Sequence, residues 1–351
     1  METVPDGARH TLIRWVQRPS WVLVGTLALL FAAGLHVPVL LQYLPFALSL
    51  VLFGLPHGAI DHLAVPRLLG HKTTAGLAAA VGLLYLVLGG LCLALWFWAP
   101  VAAFALFIAL TWLHWGGGDL HALLAFAASE RDPAPGLAFR VFALLARGAL
   151  PMLVPLLAFP ETYRAVAASL TGLFGPRSVP AWVFGPPFRL AAAAALAALV
   201  LASLVLAWRV GGKLFRAYAL ETGLLAVYFA LVPPVLAVGL YLSLWHAPRH
   251  VARLALLDKE SADSLAAGRV APALLRFARD AAPLTLAAVA LLAGLYLVAP
   301  GAGASPPALL ALYLVLISAL TLPHVVVVSF MDHRQGLYSG QPSAIDRQQE
   351  P

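Results

Sequence analysis

Apolar residues run along this chain in long blocks, each closed by prolines, glycines or clustered charge. A helix crossing a hydrocarbon core about 30 Å thick needs about 20 such residues. The blocks fall at 20–37, 43–62, 75–98, 101–125, 137–158, 189–209, 215–232, 234–256, 282–299 and 306–331. They predict an all-α fold, a polytopic transmembrane helical bundle of about ten spans. The second block is short, and Pro233-Pro234 makes the seventh and eighth readable as a hairpin or as one kinked span, so the count runs from eight to ten. Residues 258–282 alternate charge with Ala, Leu and Phe, which predicts an amphipathic helix on the inner membrane surface. Residues 1–334 read as a single transmembrane domain, and the polar stretch 335–351 as a disordered C-terminal tail.

Composition sharpens this reading. Of 351 residues, 62% are hydrophobic and only 11% charged, and mean hydropathy is +0.90. A soluble domain carries about 25% charged residues, so a soluble enzyme is excluded, as is a disordered chain. The net charge of +7 invites a nucleic-acid partner, but there is no long Lys/Arg run, and basic residues are retained in cytoplasmic loops of membrane proteins. Arg9, Arg14, Arg18, Arg67, Lys72, Arg131, Arg140, Arg209, Lys213, Arg216, Arg249, Arg253, Lys259 and Arg334 all fall on one side of the alternating spans. The opposite loops are bare except for 159–188, with Arg164 and Arg177. This predicts a multi-pass protein of the cell inner membrane with both termini cytoplasmic and no nucleic-acid partner. The apolar run from Trp21 reads as a retained first span rather than a cleaved signal. Cys92 is the only cysteine, so neither an internal disulfide nor a thiolate metal cluster is available.

Histidines inside the spans are the informative chemistry, because a polar group at membrane depth is a functional signal. His57, His114, His246 and His324 lie in the second, fourth, eighth and tenth spans, all running from outside to inside. At a rise of 1.5 Å per residue they sit about 18–27 Å from the outer edge, in one layer. His246 and His250 are four residues apart, one turn of a regular helix. His57 and His114 can close the set from two other helices. Imidazole suits iron, copper and zinc, and four neutral rings leave the ion its full charge and open positions for O2. Asp61 and Asp119 follow His57 and His114 closely and read as outer partners that hold a ligand's distal N–H. His62 and His121 read as solvated or outer groups, and His10, His36, His71 and His333 as unrelated to the site. Phe53, Trp112, Trp115, Tyr241 and Trp245 are candidates to wall an apolar slot.

At these residues the chain resembles the Brp/Blh family of membrane β-carotene 15,15'-dioxygenases. The resemblance rests on Pro56-His57-Gly58 with Asp61, His114 with Gly116 and Asp119, Trp245-His246 with Arg249-His250, and Leu322-Pro323-His324 with Met331-Asp332. It implies that the domain 1–334 is catalytic, with Fe(2+) held by His57, His114, His246 and His250. His324 then joins Asp61 and Asp119 as a residue that lines or supports the site. The implied reaction cleaves β-carotene with O2 at its central double bond into two all-trans-retinals, linking the protein to a retinal-binding opsin. Alternatives are an iron oxygenase for another carotenoid or isoprenoid, and a metal-binding membrane transporter. Three successive glycines, Gly116 to Gly118, depart from the family pattern and put the pocket's shape there in doubt.

Overall fold

A chain in lipid must satisfy its backbone N–H and C=O groups internally. The computed structural model describes residues 4–127 and 134–338, and every regular element among them is helical. At the N-terminus α1 (Asp6–Leu12) runs through a π-turn at Ile13–Gln17 into α2 (Arg18–Ala32). Two short helices come next, α3 (Val39–Gln42) and α4 (Leu44–Ser49), then irregular backbone over 50–60 and α5 (Asp61–Leu68). Beyond them lie α6 (Ala75–Trp98), α7 (Pro100–Ala127), α8 (Leu137–Ala158) and the shorter α9 (Pro160–Gly172). An antiparallel pair, α10 (Pro186–Val210) and α11 (Gly212–Leu231), turns at Gly211, whose φ of 76° favours glycine. Then α12 (Pro234–Tyr241) meets α13 (Ala247–Leu256) across a second π-turn at Leu242–His246. The last helices are α14 (Lys259–Ala266), α15 (Val270–Val298) and α16 (Pro306–Arg334).

Among the described residues, seven helices are long and apolar enough to cross a membrane: α6, α7, α8, α10, α11, α15 and α16. The other three expected spans are a helix interrupted by a π-turn, a broken segment and a helix with a π-turn inside it. The second departs most from expectation. Residues 43–62 form no continuous helix: Gly54, Pro56 and Gly58 punctuate the stretch, and it unwinds where His57 lies. Residues 258–282 also differ from the single surface helix expected. They divide at Gly268 (φ 77°) between α14 and the opening turns of α15, because positive φ ends a helix there. Within the expected outer loop 159–188, α9 folds back onto α7 and α16.

The interior is organised by α8 and α16, the most buried of the long helices, whereas α6, α10 and α15 turn most of their surface outward. Leu86, Leu190 and Leu297 on those outer helices are exposed, as lipid-facing leucines should be. The crossing of α7 and α8 is very close. A Cβ on Gly116 would collide with the Leu144 carbonyl, and one on Gly148 with the Trp112 carbonyl. Gly148→Leu is therefore expected to lower stability by about 1–3 kcal/mol or more through overpacking. A thermal melt in detergent checks it, with Gly82→Leu, where nothing lies near, unchanged.

Of the expected tail, residues 339–351, with Arg347, lie outside the described residues, as does Arg131. Its first four residues are held against the bundle. Arg253 donates to the Gln335 side chain at 2.6 and 2.8 Å, and Arg140 donates to the Gly336 and Leu337 carbonyls at 3.0 and 2.7 Å. Leu337 is fully buried.

Candidate metal centre

Four stretches of backbone bring five histidines into one cluster. The unwound stretch carries His57, α7 carries His114, the π-turn and α13 carry His246 and His250, and α16 carries His324. The extra residue of a π-turn rotates the helix on its N-terminal side relative to the helix on its C-terminal side, and such turns recur at functional sites. Here it delivers His246 at its end. The His57 ring centre lies 5.7 Å from His246, 5.6 Å from His250 and 6.4 Å from His114. His114 and His246 are 4.9 Å apart, with their Nε2 atoms at 3.1 Å. One ligand atom each from His57, His114 and His246 lies within 4.8 Å of the others, and the same holds for Asp61, His250 and His324.

The hydrogen bonds define the tautomers. Nδ1–H of His57 donates to the Phe53 carbonyl at 3.0 Å, and Nδ1–H of His324 donates to the Asp61 carboxylate at 2.8 Å. An oxygen acceptor keeps the proton on Nδ1 and leaves the Nε2 lone pair free. Nε2 of His250, Nε2 of His324 and Nδ1 of His114 are buried with no hydrogen-bond partner. Buried acceptors left unmet carry a penalty of about 1–3 kcal/mol each. A cation that accepts the Nε2 lone pairs of His250 and His324, with those of His114 and His246 that face each other, would relieve this, so the donor set fits a nitrogen-liking transition metal.

The expected supporting carboxylates are both buried, but neither bonds the imidazole its spacing indicated. Asp61 accepts from His324 rather than His57, and from the Tyr85 hydroxyl at 2.6 Å. Asp119 bonds no imidazole. It accepts from Trp245 Nε1 at 3.0 Å and from Arg147 at 2.9 Å, and it faces Arg249 at 3.5 Å. Glu221 on α11 completes the group, at 2.7 Å from Arg147 and 2.8 Å from Arg249. Trp21 Nε1 also donates to Glu221 at 2.7 Å. Two cations and two anions thus balance inside the membrane, and the Arg249 guanidinium caps the Trp245 ring at 3.8 Å. Trp245 immediately precedes His246, so this network holds the π-turn that positions that imidazole. Arg147, Glu221 and Tyr85 were not among the sequence-derived candidates. The signal for the first two was present: each is an ionisable residue inside a predicted span.

His121 is buried beside Arg253 and Gln335 rather than solvated, and His71 is exposed in the loop after α5. Gly118 faces His246, where a Cβ would come within 3.1 Å of the ring. The glycine triplet therefore serves helix and imidazole packing, and it does not line the cavity beside the cluster.

That cavity runs from His57, His114 and His324 between α7, α8, α12 and α16 to α9. Phe104, Phe107, Trp115, Met152, Tyr163, Leu170, Val235 and Leu314 line it, with Thr111 and Thr321 among its few polar groups. Of the five aromatics expected to wall a slot, only Trp115 does so. Trp112 instead donates to the Leu145 carbonyl at 2.8 Å, and Tyr241 packs on Trp115.

A helical membrane bundle with an imidazole cluster at the end of an apolar cavity defines a class: a membrane protein whose interior could hold a metal ion beside an apolar molecule. Comparison with known proteins supplies the family. The model of the family "Beta-carotene 15,15'-dioxygenase" matches residues 48–332, and this chain belongs to that family. It is 45% identical over 344 residues to the probable beta-carotene 15,15'-dioxygenase Blh of Halobacterium salinarum, covering 94% of this chain and 96% of the relative. The probable beta-carotene 15,15'-dioxygenase Brp of the same species is 32% identical over 354 residues, covering 95% of this chain and 96% of the relative. No solved structure matches the chain.

Proposed function

We propose that this protein is an iron-dependent dioxygenase that cleaves β-carotene at its central 15,15' double bond. One β-carotene and one O2 give two molecules of all-trans-retinal, with every atom accounted for. The observation that carries the reading is the convergence of His57, His114, His246 and His250, from three separate segments, at the inner end of an apolar cavity. Iron held by these four imidazoles would supply the redox chemistry toward O2.

The chain's own residues supply binding and position. The cavity wall takes up the polyene by apolar contact and keeps water from the cluster. The place of the imidazoles along this wall would set which double bond lies beside them, and this positioning would set regioselectivity. The Phe53 carbonyl orients His57, and the Asp119–Trp245 contact orients the turn bearing His246. A substrate nearly insoluble in water enters from the bilayer, and its product is the chromophore that a retinal-binding opsin takes up. The one-sided distribution of basic residues supports the reading of an inner-membrane protein with both termini cytoplasmic.

Expression in cells that accumulate β-carotene tests this. Orange colour should fade and retinal should appear by chromatography. An unequal pair of apocarotenals, or no cleavage, would overturn the assignment. A narrower cavity should affect substrate and not metal. Val166→Phe, in the wall contributed by α9, is expected to lower kcat/KM for β-carotene about tenfold or more, a loss of about 1.4 kcal/mol in transition-state stabilisation. Iron content per chain should stay at the wild-type level.

A further inference from the structure

The sequence placed His324 among the supporting residues. Its surroundings are those of a ligand. It sits within the cluster, its ring centre 4.8 Å from His114, 5.1 Å from His250 and 5.2 Å from His57. Two imidazoles bound to one ion at about 2.1 Å have ring centres about 4.5 Å apart at right angles and about 6.4 Å apart when opposite. All three His324 separations fall inside that interval. So do the separations of His57 from His114, His246 and His250, and of His114 from His246 and His250.

His324 also has its own orienting chain. The Tyr85 hydroxyl donates to Asp61 at 2.6 Å, and Asp61 accepts Nδ1–H of His324 at 2.8 Å. The proton therefore stays on Nδ1. Nε2 keeps its lone pair, is buried, and meets no hydrogen-bond donor. A carboxylate behind a histidine whose other nitrogen is free is the arrangement that orients metal-bound imidazoles and raises their basicity. Among the described histidines of the cluster, only His324 has a carboxylate in that place. Pro323 contributes locally. It lacks an N–H, so the Ala319 carbonyl loses its helical partner, and Gly89 of α6 lets that helix approach there, a Cβ being only 3.3 Å from the carbonyl oxygen.

We propose that His324 is a direct, fifth imidazole ligand of the metal, with Asp61 and Tyr85 as its positioning residues. The proposal rests on the metal-site reading above and extends it from four histidines to five. The consequence would be a more crowded and more electron-rich ion.

Titration of purified, metal-free protein with Co(2+) tests it, because the visible bands of Co(2+) strengthen as coordination number falls. Wild-type protein should bind one cobalt per chain with the weak bands of five or more ligands. His324→Ala should bind at least tenfold more weakly, with intensified bands, and added imidazole should restore the wild-type spectrum. Asp61→Asn preserves volume and should weaken binding 10–100-fold, with Tyr85→Phe giving a smaller loss in the same direction. Unchanged affinity and spectrum in His324→Ala would overturn the assignment. If that variant does not fold, unchanged affinity in Asp61→Asn would do so. Two cobalt ions per wild-type chain would divide the histidines between two sites and overturn a shared ion. No binding by wild-type protein would overturn the metal reading itself, an outcome distinct from failure of the His324 assignment alone.

Discussion

Replacing His114 by alanine is expected to end retinal formation, as is the same change at His57, His246 or His250. These rings converge on one cluster from three separate segments, so each variant removes a nitrogen donor from it. His114 illustrates the point. It is buried in α7, faces the cavity, and its Nε2 lies 3.1 Å from that of His246. Loss of an outer-shell partner typically reduces metal affinity or activity 10–100-fold, so loss of a ligand should exceed about 100-fold. Cells carrying each variant should stay orange and contain no retinal above background. His71→Ala, on an exposed loop, should behave as wild type. Treatment of the purified enzyme with a ferrous chelator should have the same effect as the histidine variants, and added Fe(2+) should reverse it. Activity persisting in one of the four variants would remove that residue from the ligand set.

Glu221→Leu should produce the largest loss of stability. The carboxylate is buried between Arg147 at 2.7 Å and Arg249 at 2.8 Å, and it also accepts from Trp21. Its removal leaves two guanidinium groups facing Asp119 alone, one positive charge uncompensated inside the membrane. Breaking a buried pair from one side costs about 3–5 kcal/mol, chiefly because the remaining charge stays desolvated. Removing a cation together with the anion should therefore be less harmful than removing the anion alone. Arg147→Met/Glu221→Leu is expected to recover about 1–3 kcal/mol relative to the sum of the two single variants. Unfolding in detergent micelles measures this. The same network fixes Trp245, so Glu221→Leu should also lose metal as the turn bearing His246 relaxes. Strict additivity of the two changes would show that the four charges do not act as one unit.

Much of the architecture was legible from apolar run length, because a span that must satisfy its own backbone in lipid has few alternatives to a helix. The run 137–158 coincides with α8, and 75–98 with α6. Shared depth in parallel spans likewise singled out His57, His114, His246 and His324 before any contact was known. Spacing was a poorer guide to partners. Asp61 stands four residues after His57 yet bonds His324, and Asp119 stands five after His114 yet bonds Trp245 and Arg147. Both misreadings assumed regular helix and local pairing. The backbone is irregular around His57, and on α7 the side chain of Asp119 turns to α8 and the π-turn.

The chain's linear pattern determined by itself membrane residence and the helical class, since both depend on local hydrophobicity and on a backbone that must satisfy itself in lipid. Tertiary structure alone decided which nitrogen faces which neighbour, that Arg147 and Glu221 neutralise Arg249 and Asp119, and that α9 folds back to end the cavity. These depend on contacts between residues far apart in the chain, such as the 263 positions separating Asp61 from His324. Hydrogen-bond direction and charge compensation are properties of such a contact, and they exist only once helix packing has brought the two partners together.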